Sequence, residues 1–232
     1  MNLLHNRVIF ISTIIILLGI ILYFSSIPRK NPNVKENFGY DDNPDEYLEP
    51  KVYPNFITEE ECSYILELSK EHFEDSIVIA GYDSSIRKSK TCWLPKTDDK
   101  IRAIIQRVCD IHNYPIENAE DLQVVKYDPN GYYNEHHDSC CDENEKCAEF
   151  ITRGGNRVIT MVIYLNDGFS GGSTRFINLN QDIKPDKNSG ILFYPMNKKG
   201  DKCHRKALHA GMPVSSGQKY IANVWIRERL FF

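Results

Sequence analysis

Apolar and polar positions change rhythm three times along this chain. Val8 to Phe24 is an almost unbroken apolar run of 17 residues, interrupted only by Ser12, Thr13 and Gly19 and flanked by Arg7, Arg29 and Lys30. That length is at the short end of what crosses a hydrocarbon core, so the run predicts an N-terminal transmembrane anchor. A cleaved signal peptide is the alternative, because Ser25 and Ser26 are small, although the run is long for one and no clean cleavage site follows. Basic residues on both flanks leave the orientation open. Asn31 to Pro50 turns polar, rich in Asn, Asp, Glu and Pro, and reads as a tether.

Helical spacing comes next. Val52-Tyr-Pro-Asn-Phe56 predicts an opening strand, and Thr58-Glu-Glu-Glu61 is a capping box before a helix whose Cys62, Ile65, Leu66 and Phe73 share one face. A second helix starts near Thr97, with Ile101, Ile104, Ile105 and Val108 at helical intervals. After Ala119 the period shortens to β segments: Leu122 to Tyr127, Arg157 to Leu165, Ser173 to Phe176, Gly190 to Tyr194 and Lys219 to Ile226. Turns containing Gly, Asn and Pro separate them, which argues for an antiparallel sandwich or barrel rather than βαβ crossovers. In the Arg157 segment both alternating sets are apolar, Val158, Val162 and Tyr164 against Ile159, Met161, Ile163 and Leu165, as in a strand covered on both sides. The expected fold is mainly β with supporting helices, a double-stranded β-helix or cupin-like jelly roll behind the N-terminal helix. Its bounds read as 1–30 for the anchor or signal, 31–50 for the linker and 51–232 for one domain, with the β core at about 120–228.

The 232 residues, 41% of them apolar, suit one domain, and a net charge of -4 provides no basic field for nucleic acid. Seven cysteines leave at least one unpaired within a monomer. Cys62 and Cys109 fall on apolar helical faces and read as buried thiols. Cys140, Cys141 and Cys147 share a polar loop, with Cys203 elsewhere, and are candidates for disulfides in an oxidising compartment. Without a C-x2-C pair a structural zinc is disfavoured. The acidic stretch from Ser139 to Asn156 reads as a lid, a disulfide-ordered loop or a solvated insertion.

Candidate chemistry centres on Tyr127-Asp-Pro-Asn-Gly131-Tyr-Tyr133-Asn-Glu-His136-His-Asp138. In an extended segment residues i and i+2 share a face, so His136 and Asp138 can hold one ion while His137 points away. His209 follows 73 residues after His136, across several strands. Two His and one carboxylate with open positions opposite suit non-haem Fe(II). Lys219, at the start of the last strand, shares a face with Ile221, Asn223 and Trp225, where an ammonium needs either a path to water or a buried anion.

These residues stand in an order that resembles the prolyl 4-hydroxylase branch of the 2-oxoglutarate and Fe(II)-dependent dioxygenases. The resemblance runs from about Val52 to Arg227. It includes Phe56-x-x-x-Glu60-Glu61-Cys62, Arg87-x-Ser89, the Tyr127 to Asp138 segment, Gly155-Asn-Arg157-Val, Tyr164-Leu-Asn166-Asp, Gly171-Gly172-Ser-Thr174-x-Phe176, Lys184-Pro185 with Gly190-x-Leu192-Phe193, and Leu208-His209-Ala-Gly211 through Lys219 to Trp225-Ile226. It departs from the usual pattern at Asn130-Gly131, where relatives often show Gly earlier, and at Ala210, where Gly is frequent. Neither change removes a ligand.

The resemblance implies Fe(II) held by His136, Asp138 and His209, and 2-oxoglutarate held by Lys219, with Tyr127 and Trp225 beside it. It implies L-ascorbate as the agent that rescues oxidised iron, and Arg87, Trp93 and Tyr133 on the substrate side. The implied reaction is hydroxylation at C4 of proline in proline-rich or collagen-like chains, with release of succinate and CO2. Two alternatives are hydroxylation of another side chain such as Lys, and a catalytically silent binding module of the same fold. The apolar run at Val8 to Phe24 makes this a single-pass membrane protein on the anchor reading, and the loop cysteines together with the resemblance imply that its catalytic domain is lumenal, in the endoplasmic reticulum or its equivalent. The abundance of Ile, Asn, Lys and Asp fits an AT-rich viral or microbial genome. Oligomeric state leaves no mark in the sequence.

Overall fold

Two antiparallel sheets face each other, and a pair of helices covers the outer side of the larger one. The computed structural model describes residues 38–77 and 83–232. The expected anchor at residues 8–24 lies outside them; among the described residues no helix is long and apolar enough to cross a membrane. The chain enters through β1 (Tyr40–Asp41) and β2 (Lys51–Tyr53), then helix α1 (Glu59–Ser69), β3 (Glu74–Asp75), β4 (Arg87–Lys88), β5 (Lys90–Leu94) and helix α2 (Asp99–Asp110). The barrel follows with β6 (Leu122–Tyr127), β7 (Tyr132–His136), helix α3 (Glu145–Thr152), β8 (Arg157–Tyr164), β9 (Phe169–Gly171) and β10 (Thr174–Phe176). It closes with β11 (Gln181–Ile183), β12 (Gly190–Phe193), β13 (Cys203–His204), β14 (His209–Gly211), β15 (Val214–Gly217) and β16 (Lys219–Arg227).

The larger sheet runs β2-β12-β8-β16-β6-β5-β3 and the smaller β11-β10-β14-β7-β4. Period-two alternation sorts the large sheet into two cores. From β6, β8 and β16, Leu122, Val124, Ile159, Met161, Ile163, Ala222, Val224 and Ile226 meet Cys62, Ile65, Ile101, Ile104, Ile105 and Val108 of α1 and α2. The opposite faces of the same strands supply Val125, Tyr127, Val162, Tyr164 and Ile221 to the interior between the sheets, where Phe176, Ile183 and Phe193 join them. The doubly apolar β8 is thus covered on both sides, each buried aliphatic side chain contributing about 1.5–3 kcal/mol.

Local chemistry sets the helix starts. The Thr58 hydroxyl accepts from Glu61 N at 3.1 Å while the Glu61 carboxylate accepts from Thr58 N at 2.8 Å, the expected capping box. Glu61 also accepts from Arg107 Nη2 at 2.9 Å, joining α1 to α2. Asp98 caps α2 by accepting from Lys100 N and Ile101 N. At the β6–β7 turn Asn130 has φ 64°, and a Cβ on Gly131 would meet Asp128 O at 2.7 Å and Lys88 O at 2.9 Å. Only glycine fits there, so the turn that leads into the His136 strand depends on it.

Three expectations change, and a fourth is narrowed to one of its alternatives. The opening strand ends at Tyr53, because Pro54 and Asn55, with φ 49°, turn the chain. Phe73 lies beyond α1 but still packs on its core. Residues 38–50 are not a free tether: β1 pairs in parallel with β13, and buried Tyr47 stacks on His204 with ring centroids 4.5 Å apart. The acidic stretch after Asp138 contains α3, capped by Asn144, and is stapled by Cys140–Cys147 and Cys141–Cys203. Cys62, Cys92 and Cys109 are buried free thiols.

Cys141–Cys203 closes 62 residues and links the segment behind Asp138 to the hairpin ahead of His209. A loop of that length restricts the unfolded chain by about 4 kcal/mol. Urea unfolding of the C141S/C203S double variant should show a stability loss of that order. An unchanged midpoint and slope would contradict the role given to this bridge.

Candidate metal and anion site

Strand register assembles the site. His136 and His209 are directly opposed partners of β7 and β14, with ring centroids 4.2 Å apart. Asp138 follows two residues after His136, just past the end of β7, and is buried. One ligand atom from each of the three lies within 4.8 Å of the others. His137 turns the other way, its ring 5.3 Å from that of Tyr40. Alternation along the strand therefore places His136, not His137, beside Asp138.

Backbone carbonyls define the imidazoles. His136 Nδ1 lies 2.7 Å from Asn134 O and His209 Nδ1 lies 2.9 Å from Ala207 O. A carbonyl only accepts, so each Nδ1 donates and each Nε2 is left facing Asp138, at 3.8 Å from Oδ1 for His136 and 3.9 Å from Oδ2 for His209. Burial drives the His136 pKa well below its ordinary value, with His209 adding to the effect. Burial alone would raise the Asp138 carboxyl, but His209, His136, Arg157 and a hydrogen bond from Thr160 outweigh it and hold the group at about 2. Two imidazole lone pairs and an ionised carboxylate converge without proton donors between them. Such a set fits a divalent transition ion, and its tethered Nδ1 atoms are the usual outer support of metal-binding His.

Behind this trio a cavity of about 440 Å³, counted to its open mouth, is lined by Tyr127, Tyr133, Thr160, Thr174, Gln123, Asn223, Lys219 and Trp225 among others. Lys219 is the register partner of Tyr127 and is 2% exposed. Its Nζ has no carboxylate partner among the described residues; it donates weakly to the Tyr164 hydroxyl at 3.4 Å and lies 5.3 Å from the centre of the Tyr127 ring. Burial, with Lys184 adding repulsion, lowers its pKa to about 7. A buried lysine in a cavity without a counter-charge is a seat for an anion.

The other candidates divide. Arg87 is buried in the cavity wall, its Nε donating to Ser89 Oγ at 2.8 Å and its guanidinium 4.6 Å from the Tyr133 ring centre. Tyr133 stacks on His136 with centroids 3.6 Å apart. Trp225 lines the cavity, but its Nε1 donates to Asp138 Oδ2 at 3.1 Å. Trp93 is 47% exposed and does not line the cavity; its ring is 6.0 Å from that of Trp225. Thr160, which donates to Asp138 Oδ2 at 2.7 Å, has no place among the sequence candidates. Its signal was a single hydroxyl within a doubly buried apolar strand, where a polar atom needs a partner. Arg157, Gln123, Thr174 and Asn223 were missed in the same way, as polar positions on faces that point inward.

Comparison with known proteins fits this geometry. Residues 122–227 match the 2OG-Fe(II) oxygenase superfamily. A protein of Acanthamoeba polyphaga mimivirus named "Putative prolyl 4-hydroxylase" is 47% identical over 206 residues, 89% of this chain and 85% of its own. Prolyl 4-hydroxylase 1 of Arabidopsis thaliana is 31% identical over 77% of this chain and 68% of its own. The crystal structure of a viral collagen prolyl hydroxylase from Paramecium Bursaria Chlorella virus-1, in complex with 2OG, superposes with a TM-score of 0.61 at 29% identity, covering 78% of this chain and 96% of that one.

The state of Lys219 is open to measurement. An unfolded lysine titrates near 10.5 and the ligand-free folded one at about 7, so between those values the unfolded chain holds a proton that the fold does not. Stability should therefore rise with pH across that window. Lys219→Met removes the charge at similar volume, so the ligand-free variant should melt higher than wild type at pH 6, with the gap closing towards pH 10. Wild type should bind a dicarboxylate with proton uptake above pH 7, seen as buffer-dependent heats in calorimetry. A variant that melts lower at pH 6, or binding without proton uptake at pH 8, would refute an unpaired buried lysine.

Proposed function

The chain belongs to the 2OG-Fe(II) oxygenase superfamily, in its prolyl 4-hydroxylase branch, and from that premise we propose that it hydroxylates proline at C4 in proline-rich or collagen-like chains. The observation that carries this reading is one cavity holding the His136, Asp138 and His209 cluster together with the buried Lys219, which has no carboxylate partner among the described residues. His136 and His209, through Nε2, and Asp138 would hold Fe(II), and Lys219 would pair with the far carboxylate of 2-oxoglutarate. Bound together, Fe(II) and 2-oxoglutarate supply O2 activation and C–H hydroxylation, with succinate and CO2 as co-products.

The chain contributes placement and shelter. Lys219 Nζ fixes one end of the cosubstrate, and the Tyr164 hydroxyl, 3.0 Å from Thr174 Oγ1, completes a polar end wall. Tyr127, Val162 and Ile221 line the walls between that end and the His pair, where they exclude water. Tyr133 and Arg87 flank the His–Asp–His cluster on the small sheet, where a peptide would approach; Trp93 stands on β5 of the large sheet. L-Ascorbate would restore iron oxidised in uncoupled turnovers. We also propose that residues 8–24 tether the domain to a membrane with the catalytic part in an oxidising lumen, which the two disulfides support.

The test is a peptide panel of polyproline, Pro-Pro-Gly repeats and Lys-containing collagen sequences, incubated with the full chain, Fe(II), 2-oxoglutarate and ascorbate. Succinate release should accompany an added oxygen that mass spectrometry places on proline. His136→Ala should lower turnover more than about 100-fold, beyond the usual effect of removing an outer partner of a metal ligand. Oxygen found on lysine would redirect the substrate. Full activity in the variant would remove the metal reading.

A further inference from the structure

A second register pair faces the His136–His209 pair. Trp225 of β16 and Thr160 of β8 are directly opposed, both turned to the interior, and both donate to the same atom, Asp138 Oδ2, at 3.1 and 2.7 Å. Among the described residues Oδ1 accepts no hydrogen bond; it has His136 Nε2 at 3.8 Å and Arg157 Nη1 at 3.9 Å. The two carboxylate oxygens are therefore chemically unequal before any metal arrives. Oδ2 has its accepting directions taken by an indole N–H and a hydroxyl, with His209 Nε2 3.9 Å away, while Oδ1, on the side of His136, keeps its accepting directions free.

The indole is itself held. The Arg157 guanidinium lies 3.5 Å from the Trp225 ring centre, well inside the range of a cation–π contact. Arg157 is fixed in turn by two hydrogen bonds to Glu120, Nε to Oε1 at 2.7 Å and Nη2 to Oε2 at 2.9 Å, and Arg227 Nε donates to the same Glu120 at 2.8 Å. This buried Arg–Glu–Arg group leaves Arg157 little freedom, so the ring it covers has little either. Thr160 needs no such support, because β8 is paired on both sides, by β12 and β16.

We propose that Trp225 and Thr160 are positioning residues that hold Asp138 as a one-oxygen metal ligand through Oδ1. Arg157 acts one step further out, by fixing the indole. This places Trp225 against the carboxylate rather than the cosubstrate, and it rests on the reading of His136, Asp138 and His209 as the metal ligands. Without the two donors the carboxylate is free to rotate about its Cβ–Cγ bond and to present both oxygens. The metal then meets a ligand of the same charge but undefined direction.

The experiment titrates Co(II) into the metal-free full chain without 2-oxoglutarate, following visible absorption, for wild type, Trp225→Phe, Thr160→Val and Thr160→Ser. Trp225→Phe keeps an aromatic ring beneath Arg157 but deletes the N–H together with part of the indole; Thr160→Val deletes the hydroxyl at similar volume. Each should weaken Co(II) binding about 10–100-fold and change the band shape, as expected when an outer partner of a ligand is removed. Thr160→Ser, which keeps the hydroxyl, should retain wild-type affinity and spectrum. If Trp225→Phe does not fold, as judged by thermal unfolding, Thr160→Val examines the same oxygen by a smaller cut. Unchanged Co(II) affinity in both variants, with a raised KM for 2-oxoglutarate in Trp225→Phe, would overturn the inference and make the indole a cosubstrate contact. No Co(II) binding by wild type would instead remove the metal reading on which the inference stands.

Discussion

The structure turns on one buried carboxylate. Asp138 sits between two cross-strand pairs, His136 with His209 on the small sheet and Thr160 with Trp225 on the large one. An isolated carboxylate in such a place would protonate or draw in water. Here it stays ionised because imidazoles, a guanidinium and two neutral donors surround it. Each of those groups reaches it only if two sheets are stacked with a particular register, so the site and the fold impose the same constraint. A one-residue slip of β16 against β8 would turn Trp225 towards the helices and Lys219 away from the cavity.

Charge is arranged along the cavity with a consistent logic. At one end an anionic carboxylate faces two Nε2 atoms and invites a cation. At the other a buried lysine, without a carboxylate partner among the described residues, invites an anion. A molecule with a chelating end and a distal carboxylate would satisfy both at once. The Arg157–Glu120–Arg227 group lies outside this axis; its two guanidiniums share one carboxylate, and the positive charge left over is turned towards Asp138 by the long contact of Arg157.

Much of this was legible in the sequence because it depends on local periodicity. The capping box at Thr58, the doubly apolar β8 and the separation of His136 from His137 all follow from helix or strand repeats within a few residues. The ordered motifs around Asp138, His209 and Lys219 indicated the family and its β fold. What the sequence did not reveal depends on which distant residues become neighbours. Thr160 and Trp225 converge on Oδ2 through the β8–β16 register, and β1 reaches β13 by a parallel pairing across more than half of the chain. Cys140 and Cys141 are adjacent in sequence but pair with Cys147 and Cys203, different destinations in space, so spacing alone could not assign them. Helix α3, 8 residues long and opened by acidic residues beside cysteines, has too few turns for its apolar face to stand out.

Anaerobic titration measures cooperation between the two ends of the cavity directly. Fe(II) and 2-oxoglutarate added together to the metal-free chain should produce a visible charge-transfer absorption that neither gives alone, saturating at one equivalent of each. 2-Oxoglutarate should bind far more tightly with the metal present than without it. A chain that binds the two independently, or develops no such absorption, would contradict it.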